Sequence, residues 1–206
     1  NLADAGYART NYAINGGTSQ RCLMGLLANR PIDPKCTDGI RVEGPNLITN
    51  DSSAWGNGIA GMNKSFRYGQ IERGLSKTIG IEEIRAGVNT ADRRGVWALG
   101  LVGSSATYDH GKYGSNGPNA GEDLIQGCFF SVATSGRGQL EALGMPCVMT
   151  PSIDLSERAT ARSMHGGGVH VLLLDGAADF ITDDIDKTLW HEMHNRRADA
   201  LPAPTT

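Results

Sequence analysis

The run Val169-His170-Val171-Leu172-Leu173-Leu174, followed by Asp175-Gly176 and then Ala177 to Ile181, restricts what this chain can fold into more than any other stretch. An apolar run of this length matches a buried strand and is short for a helix, and Asp-Gly is a favoured two-residue hairpin turn because both residues tolerate positive φ. The expectation is a β-hairpin over 169–181 with a strand buried by composition. A turn centred between Asp175 and Gly176 sets His165 across from Asp186, and Gly167 and Gly168 across from Asp184 and Asp183. His165 and Asp175 then lie roughly 30 Å apart by strand rise, too far for a catalytic dyad. Asp175 is read as a turn residue.

The rest of the chain points the same way. Glycine supplies 28 of 206 residues, about twice the usual share of roughly 7%, which favours many tight turns and short strands. The expected fold class is α+β and β-rich, a single domain over 1–206 with an antiparallel sheet. Short strands are expected before Gly16-Gly17, around Ile40 and Val42, over Lys77 to Ile84 and over Gly95 to Gly100, where Trp97 is the best candidate for a core aromatic. Leu23 to Ala28 suits one or two helical turns before Pro31 and Pro34. Residues 46–65 and 104–127 are rich in turn formers and are expected as long surface loops. After the hairpin, Thr182 or Asp183 can cap a helix over 183–195 with Ile185, Leu189 and Met193 on its buried stripe. The proline-containing tail from Leu201 is expected to fray.

Several function classes lose support here. The net charge is −3, from 19 basic and 22 acidic side chains dispersed along the chain, so there is no basic stripe for a phosphate backbone and nucleic acid is not an expected partner. No stretch reaches the ~18–20 apolar residues of a membrane span. There is no Gly-x-Ser-x-Gly elbow, Walker loop or dinucleotide fingerprint, and Gly166-Gly167-Gly168 precedes a strand rather than a helix. No catalytic residue is assigned and no cofactor is called for. Because the sequence starts at Asn1 and Tyr7 and Tyr12 already belong to patterned sequence, removal of a true N-terminus is expected.

Four cysteines form two sequence-local pairs, Cys22 with Cys36 and Cys128 with Cys147. Local disulfides in an oxidising compartment are the favoured reading; two other pairings and free buried thiols stay open. A four-cysteine zinc site has less support without a Cys-x-x-Cys knuckle.

Three sets of residues are candidates for binding. The acidic corner Asp183, Asp184 and Asp186, opposite His165, could hold calcium; the plainer reading of His165 is a cap or salt link at that corner. Trp55, Tyr108 and Tyr113, in the two polar stretches, could contact a carbohydrate or small solute. His191-Glu192-Met193-His194 departs from the metalloprotease spacing by one residue, and two polar residues on a solvated helix are the expected outcome.

A family resemblance rests on particular residues. Arg162-Ser163-Met164-His165, the glycines, and Val169 through Asp175-Gly176 to Ile181 resemble the C-terminal signature of the prepilin-type His-x9-Asp-Gly domain proteins. Further matches follow in order: Asn11-Tyr12-Ala13-Ile14-Asn15-Gly16-Gly17, Asn57-Gly58-Ile59, Arg94-Gly95-Val96-Trp97-Ala98-Leu99-Gly100, and Gly117-Pro118-Asn119 leading to Glu122-Asp123-Leu124-Ile125-Gln126-Gly127-Cys128. Where that family shows Asp-Gly-Thr-Ser-Asn-Thr and a strand ending in Gly-Glu, this chain has Arg73-Gly74-Leu75-Ser76-Lys77-Thr78 and then Glu82-Glu83. The resemblance implies export, an N-terminal cleavage site, and a pseudopilin-like headgroup whose sheet packs on a long hydrophobic helix outside this sequence. That helix would be the only membrane contact. It also implies an extracytoplasmic, non-catalytic module that self-associates or joins pseudopilin or secretion partners. A binding module for carbohydrate, small solute or calcium is the alternative.

Overall fold

The computed structural model describes residues 7–18, 40–42, 52–62, 64–100, 102–108, 117–125, 127–148 and 158–198, with only the backbone described at 40–42, 52–55, 62 and 64. In chain order the strands are β1 (Tyr12–Asn15), β2 (Ile40–Val42), β3 (Ser52–Trp55), β4 (Ala60–Met62), β5 (Lys64–Ser65), β6 (Ile79–Glu83), β7 (Ala106–Thr107) and β8 (Asp123–Leu124). Helices α1 (Cys128–Ser135) and α2 (Arg137–Ala142) follow, then β9 (Cys147–Val148), β10 (Gly168–Leu173), β11 (Ala178–Thr182) and helix α3 (Lys187–Met193). The class is α+β and β-rich, as the composition implies.

The main sheet has the order β11-β10-β6-β1-β7. Its pairs are antiparallel except β1 with β7, which run parallel, so the sheet is mixed rather than purely antiparallel. A second sheet has the order β2-β3-β4-β5. The stretch expected as a loop over 46–65 therefore supplies three of its strands: short pairings through glycines and serines give little hydrophobic alternation to read. The other expected loop, 104–127, begins with β7 on the edge of the main sheet and includes β8; Ser104, Thr107 and Asp123 are buried.

The C-terminal hairpin forms, but through a different turn. Leu172 pairs with Ala178, the Gly176 N–H donates to the Leu173 carbonyl, and the Leu173 N–H donates to the Ala177 carbonyl. Three residues, Leu174, Asp175 and Gly176, make the loop, and only Gly176 has positive φ, at 93°. This is the turn-plus-bulge solution and not the two-residue one. Asp175 Oδ1 accepts from the Ala177 N–H at 3.0 Å. Register moves by one residue, which reassigns faces along the hairpin. Gly168 now pairs with Thr182, and the predicted apposition of His165 to Asp186 is lost. Nor is β10 buried on both sides: Val169 and Val171 face the core while His170 and Leu172 face outward.

Among the described residues the core has two parts. One joins Ile79, Ala161, Val169, Val171 and Ile181 to Trp190 of α3. Asp186 caps α3, its side chain accepting from the Leu189 N–H, so the helix starts later than Thr182 or Asp183 would allow. Its buried face is Trp190, His191 and the following His194; Leu189 is 51% exposed, while Ile185 and Met193 pack at the margin. Trp97, expected in the core, is 62% exposed, and 95–100 is a series of turns around buried Val96. Trp190 takes the central place because α3 lies against the sheet.

The second part gathers Val102, Ile125, Leu140 and Ala159 around the Cys128–Cys147 disulfide, confirming that local pairing. Cys22, Cys36, the Leu23–Ala28 segment and the tail from Leu201 lie outside the described residues. The bridge closes a loop with a sequence separation of 19, and in the chain-entropy model that contributes about 3 kcal/mol. Reduction, or Cys128→Ala with Cys147→Ala, is expected to lower the unfolding free energy by that amount, measured by urea denaturation followed by circular dichroism.

Candidate functional site

Most of the sequence motifs meet in the interior. Asn15 donates to the Ile79 and His194 carbonyls and accepts from the Gly17 N–H. Asn57 exchanges hydrogen bonds with Thr18, and Gly58 lies so close to Gly16 that an added Cβ would stand 2.2 Å from its carbonyl carbon. Arg196 donates to the Gly56 and Gly58 carbonyls. These contacts lock the β3–β4 loop onto the end of β1.

A buried charge chain links three more motif residues to Asp92. Arg94 Nη2 stands 2.7 Å from Asp92 Oδ2, Arg94 Nη1 stands 2.9 Å from Asp123 Oδ2, and Arg162 Nη2 stands 3.1 Å from Asp123 Oδ1. All four residues are at most 3% exposed. Burial by itself pushes the Asp123 carboxyl up, but the Arg162 and then the Arg94 charges, with hydrogen bonds from both, hold it below the usual carboxylate range. Arg94 is likewise opposed by burial, yet Asp92 and Asp123 raise it. Two cations face two anions, so the chain is balanced and structural.

A second buried pair was missed from sequence. Glu82 and His194 are both 0% exposed, with Nε2 to Oε2 at 2.9 Å, and the Thr107 hydroxyl donates to Glu82 Oε1. His194 was expected on a solvated helix face, but it sits beside Trp190 beneath the sheet. No periodicity in the helix sequence distinguishes these outcomes.

The accessible constellation lies on the opposite face of the sheet, at β6 and β10. Glu83 Oε1 is 3.1 Å from His165 Nε2, and Glu83 Oε2 is 3.3 Å from His170 Nδ1. The same Oε2 accepts from the His170 backbone N–H at 2.7 Å, which fixes the carboxylate. The two imidazoles meet edge to face with centroids 4.7 Å apart, and Phe180 packs against His170 at 4.9 Å. His165 is held by its own loop: its N–H donates to Ser163 Oγ, whose hydroxyl donates to the Gly168 carbonyl. Glu83 is buried while the rings are about half exposed. Among the described residues this is the set of three metal-capable side chains whose donor atoms converge, all within 4.8 Å of one another.

The other candidates are placed differently. Asp183 accepts from Asn119, Asp184 from Thr182, and Asp186 caps α3; their carboxylates do not converge. Tyr108 is not an exposed aromatic: it packs against the second core, and burial pushes its hydroxyl pKa upward. Trp55 lies in β3, with nothing described of its side chain, and Tyr113 lies outside the described residues. Of the sequence candidates, His165 belongs to the convergent set. Its partners Glu83 and His170 carried only a weak signal, two outward positions on strands whose pairing the sequence does not state.

Comparison with known proteins adds one match, a family model described as "Protein of unknown function (DUF1559)", over residues 38–188. No curated protein matches, and no solved structure matches.

Proposed function

The chain belongs to the DUF1559 family of proteins of unknown function, and from that premise we propose that it is an extracytoplasmic, non-catalytic assembly module, a pseudopilin-like headgroup that associates with further copies of itself. The observation that carries this reading is the outer face of the main sheet. Register places Ala178, Leu172, Ile81 and Ile14 side by side across four strands. Phe180, His170 and Tyr12 belong to the neighbouring rows. Tyr12 is 53% exposed and Ile81, Leu172 and Phe180 are 37–38% exposed, whereas the inner face is covered by Trp190. A contiguous apolar sheet face of this kind marks an interaction surface.

Other features support the same reading. The disulfide suits an oxidising compartment, and among the described residues no helix is long and apolar enough to cross a membrane. The acids and bases of the buried chain and of the Glu82–His194 pair are inaccessible to substrate.

Electron microscopy of the native protein, isolated from cells without denaturation, tests the proposal. Ordered filaments or sheets are expected, and Leu172→Lys should abolish them while changing the monomer's stability by about 1 kcal/mol or less. A native protein that stays monomeric, or assemblies indifferent to Leu172→Lys, would overturn it.

A second reading is favoured by one cleft of about 700 Å³ lined by Tyr7, Arg9, Asn89, Arg93 and Phe130. Aromatic walls with a few oriented polar groups suit a small polar solute. Arg9 is already braced, donating to the Arg94 and Asn89 carbonyls. Thermal-shift screening against sugars and small acids, with Phe130→Ala as the control, distinguishes this reading from assembly.

A further inference from the structure

We propose that Glu83, His165 and His170 bind a borderline divalent transition metal, for which Zn²⁺ is the probe. The site shares the outer sheet face and His170 with the proposed assembly surface, and it stands whether or not that surface assembles. Three observations carry it.

The donor spacing already approaches that of a coordinated ion. Ligands about 2.0–2.1 Å from tetrahedral zinc lie about 3.3 Å from each other. The two imidazole nitrogens stand 3.1 and 3.3 Å from the carboxylate oxygens, and the widest separation within the set is no more than 4.8 Å. A small rotation of one half-exposed ring closes it.

The donors come from two separate stretches of chain, β6 and the loop that runs into β10, and each is held by its own contacts. Glu83 is set by the β6–β10 register and by the His170 N–H. His170 stands on β10 against Phe180. His165 is tied down through Ser163, whose own N–H donates to Asn119. Such supporting contacts orient metal ligands.

The donor chemistry selects the class of ion. A salt link to one carboxylate needs one imidazole, and here two are directed at it. Two imidazoles and one carboxylate suit zinc and its first-row neighbours, whereas calcium requires six to eight oxygens. The fourth position would face solvent, because both rings are about half exposed.

The experiment uses tag-free protein stripped with EDTA and dialysed. Titration calorimetry with Zn²⁺ is expected to show one site, and Co²⁺ should give the intense visible absorption of a tetrahedral complex. His165→Ala and His170→Ala should each weaken Zn²⁺ binding at least about tenfold, the lower bound for disturbing even the outer shell of such a site. Calcium should leave the melting temperature unchanged. The exposed double variant His165→Ala/His170→Ala is expected to fold, as its metal-free melting curve will verify, and should show neither heat of Zn²⁺ binding nor the Co²⁺ band. Failure of the wild-type protein to bind Zn²⁺ at millimolar concentration would overturn the proposal, as would undiminished binding by the double variant.

Discussion

Asp123→Ala is expected to destabilise the fold by about 3–5 kcal/mol, the usual cost of removing one member of a buried ion pair. Asp123 is 1% exposed and accepts from two guanidinium groups; without it, among the described residues, Arg162 loses its carboxylate partner and Arg94 keeps Asp92. The neighbouring Glu122 is the control. Its contact with Arg137 is 3.6 Å between half-exposed side chains, and Glu122→Ala should change stability by at most about 1 kcal/mol. Urea denaturation followed by circular dichroism compares the two, and similar midpoints would refute the role given to Asp123. Acid provides a second measure. The Asp123 carboxyl is held below its unfolded value, so its contribution is fully present above the unfolded pKa of about 3.9 and is lost as pH falls through the lower folded value. Wild-type stability should therefore decline with acid in that window, and Asp123→Asn should flatten the decline.

His194→Ala is expected to cost about 3–5 kcal/mol as well, for the same reason applied to a different pair. His194 Nδ1 is 2.7 Å from the Trp190 carbonyl. A carbonyl only accepts, so Nδ1 carries hydrogen and Nε2 meets Glu82. Whichever of the two holds the shared proton, the unit stays neutral. Removing the ring leaves Glu82 fully buried with the Thr107 hydroxyl beside it and opens space next to Trp190. Replacing both partners with apolar residues, Glu82→Met and His194→Leu, should recover most of the loss, since apolar replacement of a whole buried pair is often neutral. A double-mutant cycle by chemical denaturation measures this. A single-variant loss under about 1 kcal/mol would mean that water reaches the pair.

The two predictions concern residues that the sequence shows unequally. Arg94, Asp123 and Arg162 fall within motifs that could be picked out by eye, yet nothing in those motifs says that their charges meet in the interior. Glu82 looks like a solvated position on β6, because a strand with alternating apolar residues ordinarily turns its acids to water. Register explains the difference: Glu82 pairs with Val171 on the covered face, and Glu83 points to the open one. His165 meets a different acid for a related reason. A single-residue change in the hairpin turn moved His165 away from the acidic corner, and the pairing of β10 with β6 brought His170 to the same carboxylate.

What the sequence determined by itself was local and periodic. The strand at 79–83, the strand before Gly16 and the hairpin about Asp175-Gly176 follow from alternation and turn chemistry, and short loop closure favours the pairing of Cys128 with Cys147 that the structure shows. Those forces act within a few residues or around a short loop, so a linear reading can sense them. The tertiary structure decided which side of each strand is covered, that Trp190 and not Trp97 fills the core, and that Glu83 joins two histidines from different elements. Burial and convergence depend on long-range pairing, where a shift of one residue exchanges the inner and outer faces. Local propensity carries no record of that choice.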